Sequence, residues 1–449
     1  MNYLTEVLKI YDSYDIICEK FIYLKGRKII MKIKKLTAVL MAVLMTCTAV
    51  GCTNSKDDST EKSSAESSVS QEKNDSTESS QEESSESKTS GTFETTTDGS
   101  AKVTVDGTKF KVGGKELWIN GVNSAWDQWN DFGGAYNHEF WESHFEKLHD
   151  AGCNASRIWI NCNGDVGLEL NADGTLDGAT ATHWNNVDDL FALAEKYQIY
   201  LMPTVMSFDF FKDEKQTKNP PEKWRELIQD STKLDSFVDN YIIPFVERYG
   251  KSDYLWAIDL CNEPDWIVEN QECGNIEWKY LQEYFAKATS AIHEHSDKLV
   301  TVGMAMIKYN SDSVEGNYIS DKALQDALGD NSKYDKSKAY VDFYSTHWYP
   351  WEEANWGVNY DKSPAEFKQD ATKPCMIAEL PAVTNDKEGW DIASVYEQAY
   401  KNGWQGMMAW KASGGDDGCG TWYDCKPAIE KMMTVCSDKI FPLGKKDVQ

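Results

Sequence analysis

Two stretches of this chain deliver a glutamate in the same way. In Trp256-Ala257-Ile258-Asp259-Leu260-Cys261-Asn262-Glu263-Pro264-Asp265, a mostly apolar run ends in an amide and a carboxylate, and proline follows. In Cys375-Met376-Ile377-Ala378-Glu379-Leu380-Pro381, a second apolar run again meets a glutamate and then a proline. Near-continuous apolar residues suit parallel strands covered on both faces, and proline forbids the next ladder bond, so each glutamate stands at a strand's C-terminal end. Two carboxyl groups brought together there can split a glycosidic bond, one protonating the leaving oxygen while the other attacks the sugar carbon. A single glutamate so placed is equally well explained as a helix cap or a solvated side chain. The pair with its surroundings is not.

Other polar and aromatic residues fall at comparable points. Asn123, Trp126 and Trp129 follow a first strand, Arg157 lies within a second, and His347, Trp348 and Tyr349 close a sixth, while Trp410 closes an eighth. A charged Arg157 in an apolar strand is costly unless paired. In a barrel mouth its natural partner is Glu379, which the guanidinium would keep ionised as a nucleophile. Tyr349 can donate to the same carboxylate, Asn262 to the hydroxyl beside the reacting carbon. His347 is expected to organise the site by hydrogen bonding; the alternative is a satisfied core histidine. Seventeen tryptophans are more than a core of this size needs. Trp126, Trp129, Trp159, Trp266, Trp348, Trp351, Trp356, Trp410 and Trp422 all fall in or beside strand ends and their loops, where flat rings can stack on sugar faces. Of these, Trp410 and Trp129 are the leading sugar platforms.

These residues need a scaffold that brings strand ends together. Val103 to Phe110, around Asp106-Gly107, reads as a small hairpin. Strands are expected over 115–123, 154–160, 199–206, 254–260, 298–304, 340–346, 375–379 and 406–410. Helices are expected between them over 138–150, 182–197, 236–249, 278–295, 321–328, 364–370 and 390–401, with a last one over 426–437. Eight strands alternating with helices predict an α/β fold, a closed (β/α)8 TIM barrel with a small N-terminal β-hairpin, whose chemistry lies at the strands' C-terminal ends. A doubly wound sheet would bring a glycine-rich phosphate loop, which Asn123-Ser124-Ala125-Trp126 is not.

From about Thr104 to Ser437 the chain resembles glycoside hydrolase family 5, in the wider clan of barrels with catalytic glutamates after strands four and seven. The resemblance rests on Asn262-Glu263-Pro264, Glu379, Arg157, His347 with Tyr349, and Trp410, in that family's order. It implies that Glu263 is the acid/base and Glu379 the nucleophile of a retaining endohydrolase needing no metal and no cofactor. Many members carry a histidine at the end of strand three, where this chain has Ser207-Phe208-Asp209. The aromatic first loop and Arg157-Ile158-Trp159 look closer to endo-1,4-β-mannanases acting on mannan or glucomannan than to cellulases, with an endo-β-1,4-glucanase as the alternative. A glycan-binding protein without activity would keep the tryptophans but have no need of the carboxylate pair with Arg157.

The remaining sequence places the enzyme. Met31-Lys32-Ile33-Lys34-Lys35 is basic, residues 36–45 are apolar apart from Thr37, and small residues lead to Cys52. That order is a secretory signal, and Ala49-Val50-Gly51-Cys52 resembles a bacterial lipoprotein processing site, although leucine is commoner at the first position. Residues 1–51 are therefore expected to be an upstream segment and signal peptide, with Met31 the better-placed start. Residues 52–92 are expected to be a lipidated cysteine and a disordered Ser/Glu-rich tether, and 93–449 the catalytic domain. The expected location is the extracellular face of a bacterial cell membrane, with Cys52 the anchor. A net charge of −27 argues against nucleic acid or anionic lipid as a partner. The expected partner is a polysaccharide substrate, and the expected state a monomer. Eleven cysteines are scattered without zinc spacing. Cys419 and Cys425 are the leading candidates for a local disulfide, and buried thiols are at least as well supported for most of the others. The loop Asn171-Ala172-Asp173-Gly174-Thr175-Leu176-Asp177 could hold calcium but lacks the full loop spacing and its closing glutamate.

Overall fold

Trp118 divides two structures that the sequence runs together. In a computed structural model, which describes residues 92–440 apart from 215, 313, 330, 331, 368, 370, 371 and 416, its N–H donates to the Lys439 carbonyl and its own carbonyl accepts from Asn154. Trp118 therefore pairs with neither neighbouring strand. Before it, Lys115–Leu117 joins Val103–Asp106 and Lys109–Val112 in a three-stranded antiparallel sheet, so the expected hairpin gains a strand and the expected first core strand is shortened. After it, Ile119–Asn123 opens the barrel. Of the signal and tether expected over residues 1–92, all but Thr92 lies outside the described residues.

The barrel itself is as expected. Its strands are Ile119–Asn123, Ala155–Trp159, Tyr200–Thr204, Ala257–Asn262, Leu299–Met304, Tyr344–His347, Cys375–Pro381 and Gly406–Trp410, called here the first to the eighth. They pair in parallel in sequence order and close when the eighth meets the first, through Gly406 opposite Ile119. Nearly every strand residue is buried, which accounts for the continuous apolar runs. Helices cover the outside. His138–Ala151 starts where the Asn137 side chain accepts from Phe140 N–H and stops at Gly152, whose φ of 94° only glycine adopts readily. The Thr180 side chain likewise caps Ala181–Tyr197.

Other elements depart from expectation for local reasons. Pro221–Gln229 is an additional helix with Trp224, Leu227 and Ile228 on its buried face. Ser231–Phe237, capped by Asp230, runs through a π turn over Val238–Ile242 into Ile243–Tyr249, ahead of Pro244, which has no N–H for an α ladder. The final helix begins at Trp422, where Thr421 and Asp424 form a reciprocal capping box. The proposed calcium loop is the turn between two short strands, Leu168–Leu170 and Leu176–Ala179, and the Asp173 carboxylate there accepts from the Thr175 N–H and hydroxyl. Cys419 and Cys425 are not joined and both are thiols; Cys425 lies on the buried face of the last helix.

The small sheet plugs the barrel's N-terminal end. Phe110, fully buried, meets Trp256 edge-on at 5.3 Å and Phe343 at 5.1 Å, residues just ahead of the fourth and sixth strands. Phe110→Ala is expected to cost about 3 to 5 kcal/mol, as for other buried aromatics. Urea unfolding would show it as a lowered midpoint with an unchanged slope. A loss below about 1 kcal/mol would mean the sheet does not close the barrel floor.

Candidate active site

Arg157 is wholly buried in the second strand, and its guanidinium is saturated by side chains from the first, fourth and seventh. Nε donates to Asp259 Oδ2 at 2.9 Å and Nη2 approaches the same oxygen at 2.7 Å. Nη1 donates to Glu379 Oε2 at 3.0 Å and to Asn123 Oδ1 at 3.1 Å, and Nη2 to Asn262 Oδ1 at 2.7 Å. Beneath it, the Trp159 ring lies 4.3 Å from Cζ in a cation–π contact. Space for the cluster comes from Gly303 on the fifth strand. A Cβ there would stand 2.7 Å from Arg157 Nη2 and 2.9 Å from Asp259 Oδ2.

Glu379 is the expected partner, but Asp259 is a second one that the sequence reading passed over. Asn123 is corrected more sharply. Expected to touch sugar, it is wholly buried, with Nδ2 donating to the Ala378 and Met408 carbonyls and Oδ1 accepting from Arg157. Its polar atoms are used up in tying the first strand to the seventh and eighth. Asn262 has its oxygen fixed by Arg157, which turns the amide nitrogen toward Ser207 Oγ at 3.5 Å.

The two glutamates face each other with unlike surroundings. Glu379 accepts from Arg157 and, at 2.7 Å, from the Tyr349 hydroxyl. Burial raises its pKa and the facing Glu263 adds to the rise, while Arg157 and the Tyr349 hydroxyl pull it back, so the guanidinium opposes desolvation and does not set a low value by itself. Glu263 has no such cation in direct contact. Burial is the main reason that its pKa is raised to about 7, with Arg157 opposing and Asp209 adding to the rise. His347 Nδ1 lies 2.9 Å from Glu263 Oε1 and 3.8 Å from Glu379 Oε2. Burial lowers this histidine to about 4, so it is neutral at pH 7 and, among the described residues, its one hydrogen bond in the site is with Glu263. One donor atom from each of Glu263, His347 and Glu379 lies within 4.8 Å of the others. A carboxyl that titrates near neutrality, facing another held by a cation and a phenol, can exchange protons while its partner attacks carbon.

Glu263 also has an unusual backbone. Its φ of 51° and ψ of 54° are left-handed, a conformation costly for a residue with a side chain and concentrated at functional sites. The turn is held by the Glu263 N–H donating to the Gly303 carbonyl at 2.7 Å and by Pro264 at the first position of the helix Pro264–Glu269. Just behind it, the buried Asp265 carboxylate accepts from the Ala305 and Met306 N–H groups.

Around the carboxyl groups is a cavity of about 380 Å³, lined by Trp126, Trp129, Trp159, Trp410, Phe208, Asp209, Asn262, Glu263, Trp266, Tyr349, Trp351 and Glu379. The predicted Trp126, Trp129 and Trp410 all reach it. They form one wall with Trp159, Trp126 lying edge-on to Trp129 at 4.8 Å and to Trp410 at 5.9 Å. Asp417 accepts from the Trp410 indole N–H at 2.7 Å and pairs with Lys411 at 3.0 Å. Trp266 and Trp351, 5.8 Å apart, form a second aromatic surface. Trp348 belongs to the core: it is buried, stacked 5.0 Å from Trp390, and donates to the Val358 carbonyl. Trp356 and Trp422 lie outside the cavity lining. Phe208 and Asp209 line it without having been singled out as site residues, although the end of strand three was marked as a departure.

The raised pKa of Glu263 has a consequence for stability. Below its ordinary value of 4.5 the group is protonated whether folded or not, and no penalty arises; above about 7 the folded state carries the full cost of a buried carboxylate. Glu263→Gln removes that cost and keeps a group able to meet His347. The variant is expected to melt higher than its parent at pH 8, by up to about 3 kcal/mol in stability, and to match it at pH 4. An equal difference at both pH values would contradict the raised pKa.

No known protein-family profile matches the chain. It is 26% identical over 339 residues to a mannan endo-1,4-beta-mannosidase of Cryptopygus antarcticus, an alignment spanning 69% of this chain and 84% of that protein. Among solved structures, an endo-1,4-beta-mannanase from Eisenia fetida superposes with a TM-score of 0.64 at 22% identity, covering 74% of this chain and 95% of that one. A beta-mannanase from the blue mussel Mytilus edulis gives the same score at 20% identity over 75% and 97%. In fold, the described chain is a (β/α)8 barrel like theirs.

Proposed function

We propose that this chain is a retaining, endo-acting hydrolase of β-1,4-linked mannan or glucomannan, with Glu263 as acid/base and Glu379 as nucleophile. The observation that carries the reading is the pairing of two carboxyl groups with oxygens within 4.8 Å, one in direct contact with a guanidinium and a phenol and the other with a histidine. Retention needs carboxyl groups about 5 to 5.5 Å apart, whereas inversion needs roughly 6.5 to 9.5 Å to seat a water between them. In the first step a Glu379 oxygen bonds to the anomeric carbon, the glycosidic bond breaks, and the Glu263 proton passes to the leaving oxygen. Water then attacks the glycosyl ester, giving its proton to Glu263 and releasing Glu379. Arg157 and Tyr349 stabilise Glu379 as it leaves, and His347 keeps Glu263 aimed.

Mannan specificity is supported by the names of the relatives; the two aromatic surfaces of the cavity support binding of sugar faces in general. The enzyme works at the outer face of the cell membrane, held by lipid on Cys52; the basic, apolar and small residues ahead of that cysteine and the serine-rich stretch behind it support this.

Three measurements test the reading. Mannan or glucomannan solutions should lose viscosity well before reducing ends accumulate, and proton NMR should show the β-anomer formed first. Activity confined to β-glucans would move the substrate, and initial release of the α-anomer would overturn the nucleophile assignment. Expressed from Met31 in a bacterium that processes lipoproteins, the protein should partition into detergent and Cys52→Ala should not; an intact mass showing an unmodified Cys52 would refute the anchor.

A further inference from the structure

Asp209 has entered so far only as a charge that helps to raise Glu263, yet it also lines the same cavity. The side chain is fixed on one side only. Oδ2 accepts from the Ser207 hydroxyl at 2.7 Å, and the Asp209 N–H points back to the same hydroxyl at 3.4 Å. Among the described residues, no donor reaches Oδ1. The nearby ammonium of Lys212 pairs with Glu214 at 2.5 Å. Burial raises the pKa of Asp209, with the Ser207 hydroxyl and Lys212 opposing, so the protein's own groups compensate this carboxyl only in part.

Its position in the barrel says which part of a substrate would meet it. Asp209 follows the third strand, beside the fourth strand that carries Glu263, and Ser207 links it to Asn262. Glu379 is on the seventh strand, diametrically across a closed ring of eight. The sugar bonded to Glu379 therefore rests toward the neighbouring Trp410, while the sugar whose oxygen Glu263 protonates lies toward the third and fourth strands.

We propose that Asp209 is a substrate-contacting residue on the leaving-group side of the cleft, where Oδ1 accepts a hydrogen bond from a hydroxyl of the departing sugar. This rests on the reading of Glu263 as acid/base and Glu379 as nucleophile. The contact favours polymer and oligosaccharide over any substrate whose leaving group is not a sugar, and it occupies the point where this chain departs from the histidine common in the family it resembles.

The test compares two substrates with the full chain. Mannohexaose places sugars on both sides of the cut, whereas 2,4-dinitrophenyl β-mannobioside carries an aryl group that cannot donate to Oδ1. Asp209→Ala is expected to lower kcat/KM on mannohexaose by roughly tenfold or more, the scale of a lost charge-assisted hydrogen bond, and to change the aryl substrate less than about twofold. Asp209→Asn, which keeps an acceptor oxygen without the charge, should fall between. The pH profile of kcat/KM on mannohexaose should keep its shape in Asp209→Ala; a loss confined to the basic limb would mean that Asp209 acts only through the Glu263 proton. Equal losses on both substrates would mean that it acts only through Ser207 and Asn262, and an unchanged rate on mannohexaose would mean no contact; any of these results overturns the proposal. A parent enzyme that cleaves neither substrate would instead overturn the hydrolase reading on which it rests.

Discussion

A guanidinium enclosed by a barrel mouth must be neutralised and hydrogen-bonded on every side, because leaving a buried charge without partners costs several kcal/mol. Arg157 meets that requirement by drawing in Asp259, Glu379, Asn123 and Asn262 from three other strands. Each of those side chains is thereby fixed, and the strand ends that carry them are fixed relative to one another. Gly303 follows from the same demand, since any side chain there would displace the cluster. Asp259 balances the charge and lets Glu379 keep one oxygen for Tyr349 and the other for Arg157.

With the cation placed, the two glutamates cannot be equivalent. Glu379 touches Arg157 and a phenol; Glu263 touches a neutral histidine and is enclosed at the head of a left-handed turn. Burial lifts both, but only Glu379 has direct positive charge to counter it. Environments that separate two carboxyl groups in this way assign them different work, one holding charge and one exchanging protons. The strained backbone at Glu263 belongs to the same arrangement, because the Gly303 carbonyl and the chain behind Asp265 hold it there.

Much of this was legible in the sequence because burial on both faces leaves a plain mark. Continuous apolar runs located the strands, and eight repeats of strand and helix led to the barrel; Pro264 does follow the end of the fourth strand, whereas the seventh runs two residues past Glu379 and includes Pro381, opposite Trp410. Arg157 was conspicuous as a charge in an apolar strand. Asp259 carries the same mark in Trp256 to Leu260 and could have been read as its counterion. Asn123 shows the limit of the method: an amide at a strand end can face substrate or satisfy the carbonyls of two other strands, and only the fold decides. Trp348 and Trp410 likewise look alike in sequence, yet one stacks in the core and the other lines the cavity. The break at Trp118 was hidden because its partners, Lys439 and Asn154, are remote in the chain.

The central claim is that the Arg157 network makes Glu379, and not Glu263, the group that bonds to sugar carbon. A 2-deoxy-2-fluoro-β-mannosyl fluoride tests it most directly, because fluorine slows breakdown of a glycosyl ester and a good leaving group lets the ester form without an acid. Mass spectrometry of the inactivated protein should find one fluoromannosyl group, on the peptide carrying Glu379. Label on Glu263, or continued turnover of the fluoride without any covalent adduct, would contradict the account.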